Sequence, residues 1–239
     1  MKLKTIELPK KYKYKEGESR PEYKKYDGWN KLSYSQKTSF DDPLYKGDYF
    51  AQKFLGLELP SGIFAEYGNR VGSWWENLST EGLSEKDLEY LEKLLPRPKT
   101  AKYETEIVVD LEPFGLKKTC IQGYIDQEDE PEKNKLIITD CKTGNHKDKP
   151  LYYASPEYQQ TTLYCYCRDL EGYEILKSQV YLLERKGNGR EGHPLRLSGK
   201  MKTIETPYSI ERAEGFLKQV AKTAIDISDY YKTYKKYLK

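Results

Sequence analysis

The residues best suited to chemistry sit in one stretch, GYIDQEDEPEKNKLIITDCKTG, residues 123–144. Asp140 and Lys142 close its apolar run, and Asp126 precedes Asp140 by fourteen residues. In a strand, residues two apart share a face, so Asp140 and Lys142 project together and Cys141 points away. The segment PEKNK reads as a hairpin turn, and a turn centred near Lys133 sets Asp126 opposite Asp140. Directly opposed strand residues have Cβ atoms about 4.5–5.5 Å apart. Two carboxylates that close repel each other unless a cation lies between them. With a backbone carbonyl they make a hard oxygen site, which suits Mg²⁺ or Mn²⁺ rather than zinc. A lysine on the same face can hold or polarise a water, and a cation there takes up charge on a phosphoryl oxygen. The chemistry expected is hydrolysis of a phosphodiester. Taken alone, D-x-K is common, and an ordinary Asp–Lys pair on a surface hairpin accounts for it; the segments around it carry the decision.

Those segments must position the three residues. Residues 33–57 read as a helix pair with a loop, capped at Ser33 or Ser35. Residues 62–79 read as a helix despite the glycines at 68 and 72. SEKDLEYLEKLL, residues 84–95, is a short helix with Ser84 as N-cap, Asp87 at the capping-box position and Pro96 as the stop. Strands are expected at 103–113, 117–126 and 135–143, each rich in β-branched and aromatic residues between turn signals. A helix follows around 156–169 with a proline in its first turn, then a strand at 176–185 and a polar loop, KGNGREGHP. A long helix closes the chain; Ile210, Ala213, Leu217, Val220, Ala224, Ile227, Tyr231, Tyr234 and Leu238 form one apolar stripe. The order predicts an α/β protein with a mixed sheet flanked by helices.

In this setting the ensemble resembles the PD-(D/E)XK nuclease superfamily, in particular its RecB-like and phage (lambda-type) exonuclease-like branch. The family pattern is G-x-x-D, an apolar strand ending D/E-x-K-T, then Q-x-x-x-Y on a helix; here it stands as GYID, LIITDCKTG and QTTLY. Upstream, GNRVGSWWE resembles the branch's G-x-x-V-H-x-x-x-E segment, and LSYSQ resembles the opening helix of such modules. The resemblance covers roughly residues 32–185. It implies a restriction-endonuclease-like core and a Mg²⁺- or Mn²⁺-dependent deoxyribonuclease, acting as an exonuclease at DNA ends in recombination, repair or replication. It implies metal contacts from Asp126, Asp140, the Cys141 carbonyl and Glu76, with Lys142 orienting or activating water. Gln160 and Tyr164 become supporting or DNA-contacting residues. One position departs: Gly72 stands where RecB-like members place a metal-binding histidine, and Glu76 must then serve as the helix carboxylate. Two alternatives stay open: a structure-specific endonuclease trimming flaps or overhangs and, motivated by this departure, a catalytically degenerate DNA-binding subunit. DNA ends or single-stranded regions are the expected partner, with a single-strand annealing protein or a helicase alongside; oligomerisation stays open.

Other candidates are weaker. Glu104 and Glu106 share the polar parity of their strand, and either could approach Asp126; Glu106 is kept as a minor candidate, beside an exposed acidic strand face. Ser33 and Ser35 could donate to a terminal phosphate, or cap the helix. Trp74 and Trp75 are adjacent and are expected in the core. No iron–sulfur cluster is expected: there is no C-x-x-C pair, Cys120 and Cys141 fall in strands, and Cys165 and Cys167 diverge on a helix. Net charge is only +3, but Met1–Lys25 holds nine Lys or Arg against four Glu. That Tyr-rich segment, residues 1–30, is read as a basic arm suited to a polyanion, before a single nuclease domain at 31–239. No apolar run reaches membrane-span length, no signal peptide is visible, and four Cys suit a reducing compartment, so the expectation is an intracellular, cytoplasmic protein.

Overall fold

The computed structural model describes residues 3–6, 30–53, 57 and 59–234. The elements run β1 (Asn30–Ser33), α1 (Tyr34–Asp41), α2 (Lys46–Lys53), α3 (Ile63–Asn77), α4 (Glu85–Leu94), β2 (Ala101–Asp110), β3 (Thr119–Glu132), β4 (Lys135–Gly144), α5 (Lys149–Ala154), α6 (Gln160–Leu170), β5 (Glu174–Lys186), β6 (Arg196–Glu205) and α7 (Ile210–Tyr234). The chain is an α/β protein built on a six-stranded mixed sheet. Its order is β1-β3-β4-β5-β6, with β2 also paired to β3. Pairs β1–β3 and β4–β5 are parallel; β3–β4 and β5–β6 are antiparallel. None of the described helices is long and apolar enough to cross a membrane.

Contacts divide the chain into two compact units, residues 1–60, 106–123 and 211–239 in the first and 61–105 and 124–210 in the second. In the first, Leu32, Phe40, Tyr49, Ala224 and Ile227 form the apolar cluster. Leu3 is buried, and the Ile6 amide donates to the Val108 carbonyl at 2.9 Å, so this short piece of the expected arm lies along β2. The rest of the arm up to residue 29 falls outside the described residues. Ser33 caps α1 in a full capping box with Gln36.

The second unit holds the core of Tyr67, Val71, Trp74, Trp75, Leu91, Leu95, Leu183 and Leu197. Both tryptophans are core residues, and Trp75 is wholly buried with its indole N–H on the Pro96 carbonyl at 3.3 Å. α4 begins at the expected capping box of Ser84 and Asp87. Antiparallel β3 and β4 meet through a turn at Lys133–Asn134, where Asn134 adopts φ 61°. Parallel β4 and β5 need a crossover, which α5 and α6 supply.

Two expectations are corrected. The helix placed around 156–169 begins only at Gln160, and a separate short helix, α5, precedes it at Lys149–Ala154. α5 takes its first-turn proline from Pro150, while Pro156 lies in the turn between them. That turn forms because Ser155 Oγ accepts the Glu157 amide at 3.2 Å and the Ser155 carbonyl accepts the Tyr158 amide at 3.3 Å. Between the polar loop and the last helix stands β6, an unexpected strand that pairs along β5 from Gln179↔Glu205 to Lys186↔Arg196. β1, at the other end of the sheet, was likewise unexpected.

Candidate metal-and-phosphate cleft

β4 runs between β3 and β5, which buries its middle: Ile138 and Thr139 are fully buried, and so is Asp140. The β3–β4 register sets Glu128 opposite Ile138 and Gln127 opposite Thr139. One step on, the same register brings Asp126 and Asp140 across from each other, and here the regular ladder gives way. The Cys141 amide donates to Asp126 Oδ2 at 2.8 Å. Asp140 Oδ2 takes two donors, Lys142 Nζ at 2.6 Å and Tyr158 Oη at 2.9 Å. Its other oxygen, Oδ1, is buried without a hydrogen-bond partner.

α3 brings the next residues. Phe64, Gly68, Gly72 and Glu76 recur every four residues and line one cleft together with Glu104, Asp126, Cys141, Lys142 and Thr143. The cleft holds about 450 Å³. Gly68 allows the approach of α3 to β4: a Cβ there would stand 3.4 Å from Thr143 Oγ1. A Cβ on Gly72 would meet Glu76 Oε1 at 3.5 Å, so a side chain at that position would project toward the Glu76 carboxyl.

Charge in the cleft is unbalanced. Burial, a hydrogen bond with Glu104 and the nearby Glu104 and Asp126 charges push the Glu76 carboxyl up to about 8. Burial and the Asp140 charge push Asp126 up to about 7, against the pull of Lys142 and the Cys141 amide. Burial pulls the Lys142 ammonium down, but Asp140 and Asp126 more than reverse this, and its pKa ends above the ordinary lysine value. Lys142 is therefore a charged donor, not a base. Tyr158 and Tyr164 stay phenols, held there chiefly by burial and then by the Asp140 charge.

Of the residues singled out from sequence, Asp126, Cys141, Lys142 and Glu76 line this cleft, and Asp140 is buried behind it on the Lys142 ammonium. Gln160 and Tyr164 lie beside it on α6, with Gln160 Nε2 donating to Tyr164 Oη at 2.7 Å; Tyr158 Oη reaches Gln160 Oε1 at 3.5 Å. Glu106, Ser33 and Ser35 belong to the other unit. There Gln122 Nε2 donates to Glu106, and Ser33 Oγ both caps Gln36 and meets Ser35 Oγ at 3.0 Å. The four cysteines carry no disulfide.

Of the two strand acids that the sequence offers beside Asp126, one lines the cleft, and the buried Tyr158 is a partner of Asp140 that the sequence reading does not single out. Glu104, not Glu106, reaches the carboxylates, and it does so from a left-handed backbone, φ 50°, inside β2. That conformation is strained for a non-glycine residue and leaves no mark in the sequence. Tyr158 holds Asp140, which depends on the turn between α5 and α6. Among the described residues, no three His, Cys, Asp or Glu side chains stand close enough together to enclose a metal by themselves.

No protein-family model matches the chain, and no curated protein matches it. Among solved structures, similarity extends to one described as "Putative exonuclease" from Eubacterium rectale, with TM-score 0.49 and 12% identity over 83% of this chain and 81% of that one. It extends also to the crystal structure of SSO0001, with TM-score 0.41 and 16% identity over 82% of this chain and 76% of that one.

Proposed function

We propose that the chain is a Mg²⁺- or Mn²⁺-dependent deoxyribonuclease that hydrolyses phosphodiester bonds at DNA ends. The observation that carries this reading is the divided Asp140 carboxylate. Oδ2 is held by Lys142 and Tyr158, while Oδ1 is buried and unpartnered. An anionic oxygen removed from water without a partner is costly, and a hard cation is the partner that fits it. Asp140, Asp126 and the Cys141 carbonyl would hold that ion, with Glu76 and Glu104 nearby. Mg²⁺ is commonly held by one or two carboxylates and completed by substrate phosphates, which suits a cleft that does not enclose it. When bound, the ion supplies Lewis acidity to a phosphoryl oxygen.

The chain's own groups do the rest. Tyr158 and Lys142 fix the Asp140 carboxylate in one orientation. Lys142 keeps its proton, so it can orient a water or meet a phosphate oxygen as a donor. Glu76, pushed up to about 8 by burial and by Glu104 beside it, keeps a proton near neutral pH. Preference for DNA ends comes from the likeness of GYID, LIITDCKTG and QTTLY to the exonuclease-like branch.

The test is incubation of end-labelled linear DNA and closed circular DNA with Mg²⁺, with Mn²⁺ and with EDTA. Loss of linear DNA alone, and only with metal, is expected. Nicked circles would replace the exonuclease with a structure-specific endonuclease. No cleavage with either metal would overturn the enzyme and leave a DNA-binding subunit.

A further inference from the structure

The cleft has an aromatic wall that a carboxylate–cation site does not explain. Phe64, in the first turn of α3, is 45% exposed and lines the same cleft as Asp126 and Lys142. The Arg185 guanidinium carbon stands 4.1 Å from the Phe64 ring centroid, and Arg185 Nη1 makes a long 3.5 Å contact with the Phe64 carbonyl. One face of the ring is thus backed by a cation while the side chain stays open to solvent. The loop after β5 secures this corner. Gly189 has φ +74°, which favours glycine, and a Cβ there would lie 2.2 Å from Ile63 Cδ1, so the loop lies close on the first turn of α3. Along the chain, Lys186 and Arg190 stand on either side of Gly189, and Glu191 follows.

Between Phe64 and the carboxylates, α3 lines the cleft with Ala65, Gly68, Asn69, Gly72 and Ser73, and the two glycines carry no side chain. Phe64 and Glu76 are twelve residues apart, about 18 Å of helix, and the missing side chains leave a groove between them. Gly72, where the resembled family has a histidine, is part of that groove. A flat ring backed by the Arg185 guanidinium and an acidic, cation-demanding far end suit a nucleic acid strand. Bases stack on aromatic rings with little regard to sequence, and basic groups meet the phosphates.

We propose that Phe64 and Arg185 form a base-stacking subsite for one nucleotide of the DNA strand that passes through the cleft to Asp140. The identity of the strand rests on the nuclease reading above. The probe is a fluorescent single-stranded DNA oligonucleotide with an abasic position walked along its length, titrated with Mg²⁺ present. The proteins are full-length Lys142→Ala and the double variants adding Phe64→Ala or Phe64→Trp, with intact oligonucleotide verified on a gel. One abasic position should weaken binding to Lys142→Ala about tenfold, within the range of a single base–aromatic stack. Phe64→Ala should weaken binding of the unmodified strand by a similar factor and lose nothing more at that position. Phe64→Trp should bind as tightly as Phe64. Equal abasic penalties with and without the ring, or no binding of the oligonucleotide, would overturn the subsite. Metal-dependent cleavage by the unaltered chain is followed in parallel. Its absence with the Phe64 coupling intact would sink the nuclease reading alone, and its presence without coupling would sink the subsite alone.

Discussion

Two donors converge on Asp140 Oδ2, and they differ in kind. Lys142 supplies charge from a partly exposed position, and Tyr158 supplies a hydrogen bond from a buried one. A hydrogen bond to a charged group contributes about 1.5–3 kcal/mol, and no solvent reaches this one to replace it. Tyr158→Phe should lower the unfolding free energy in urea by that amount; a variant as stable as the unaltered chain would mean that the phenol does not hold Asp140. The raised carboxyls give a second expectation. Glu76 is pushed to about 8 and Asp126 to about 7, chiefly by burial, so the folded chain keeps protons that the unfolded chain releases. The cost is absent below the ordinary carboxylate range, grows as pH rises through it, and is complete above about pH 8. The metal-free melting temperature should therefore fall from about pH 5 to about pH 8, and Asp126→Asn should flatten that fall. An unchanged slope in the variant would show that Asp126 does not carry it. The residues that sequence made legible here, Asp126, Asp140 and Lys142, followed from strand parity and one turn. The choice of Glu104 over Glu106 did not, because it depends on a single strained φ, and Tyr158 did not, because its place depends on a turn that Ser155 makes.

Asp87 joins α4 to β6. Its Oδ2 belongs to the capping box with Ser84, and its Oδ1 accepts the Leu197 amide at 2.7 Å, a buried bond. Removing the Ser84 hydroxyl loses a cap, about 1 kcal/mol. Removing the Asp87 carboxylate loses the box and also strands a buried N–H, about 2–4 kcal/mol together. Urea unfolding of Ser84→Ala and Asp87→Ala should show that ordering; equal losses would mean the bond to β6 contributes nothing. α4 was readable because Ser84, Asp87 and Pro96 punctuate it and Leu88, Leu91 and Leu95 keep a helical period. β6 was not. It sits at the end of the sheet, where charged residues protect an edge, so RLSGKMKTIE buries only Leu197 and Ile204. Its Gly199, at φ 78° under the Tyr90 ring, reads as a turn in the sequence. β1 is four residues long, too short to show a period.

Across the molecule, the mixed sheet serves the chemistry through one strand. β4 enters buried between two neighbours and carries Asp140, held by Lys142 and Tyr158, and β3 gives up its ladder there to offer Asp126 to the Cys141 amide. α3 closes the cleft from the other side, with glycines where bulk would fill it. The proposed function requires that the unpartnered Asp140 oxygen take up a divalent cation for phosphodiester cleavage. Asp140→Asn keeps the shape and removes the charge. The decisive measurement is the initial rate of release of label from end-labelled linear DNA in Mg²⁺ and in Mn²⁺, for the unaltered chain and for Asp140→Asn. The account predicts metal-dependent release by the unaltered chain and a loss of at least about a hundredfold in the variant, a difference of about 2.7 kcal/mol in the barrier. Release by Asp140→Asn at the unaltered rate would contradict it.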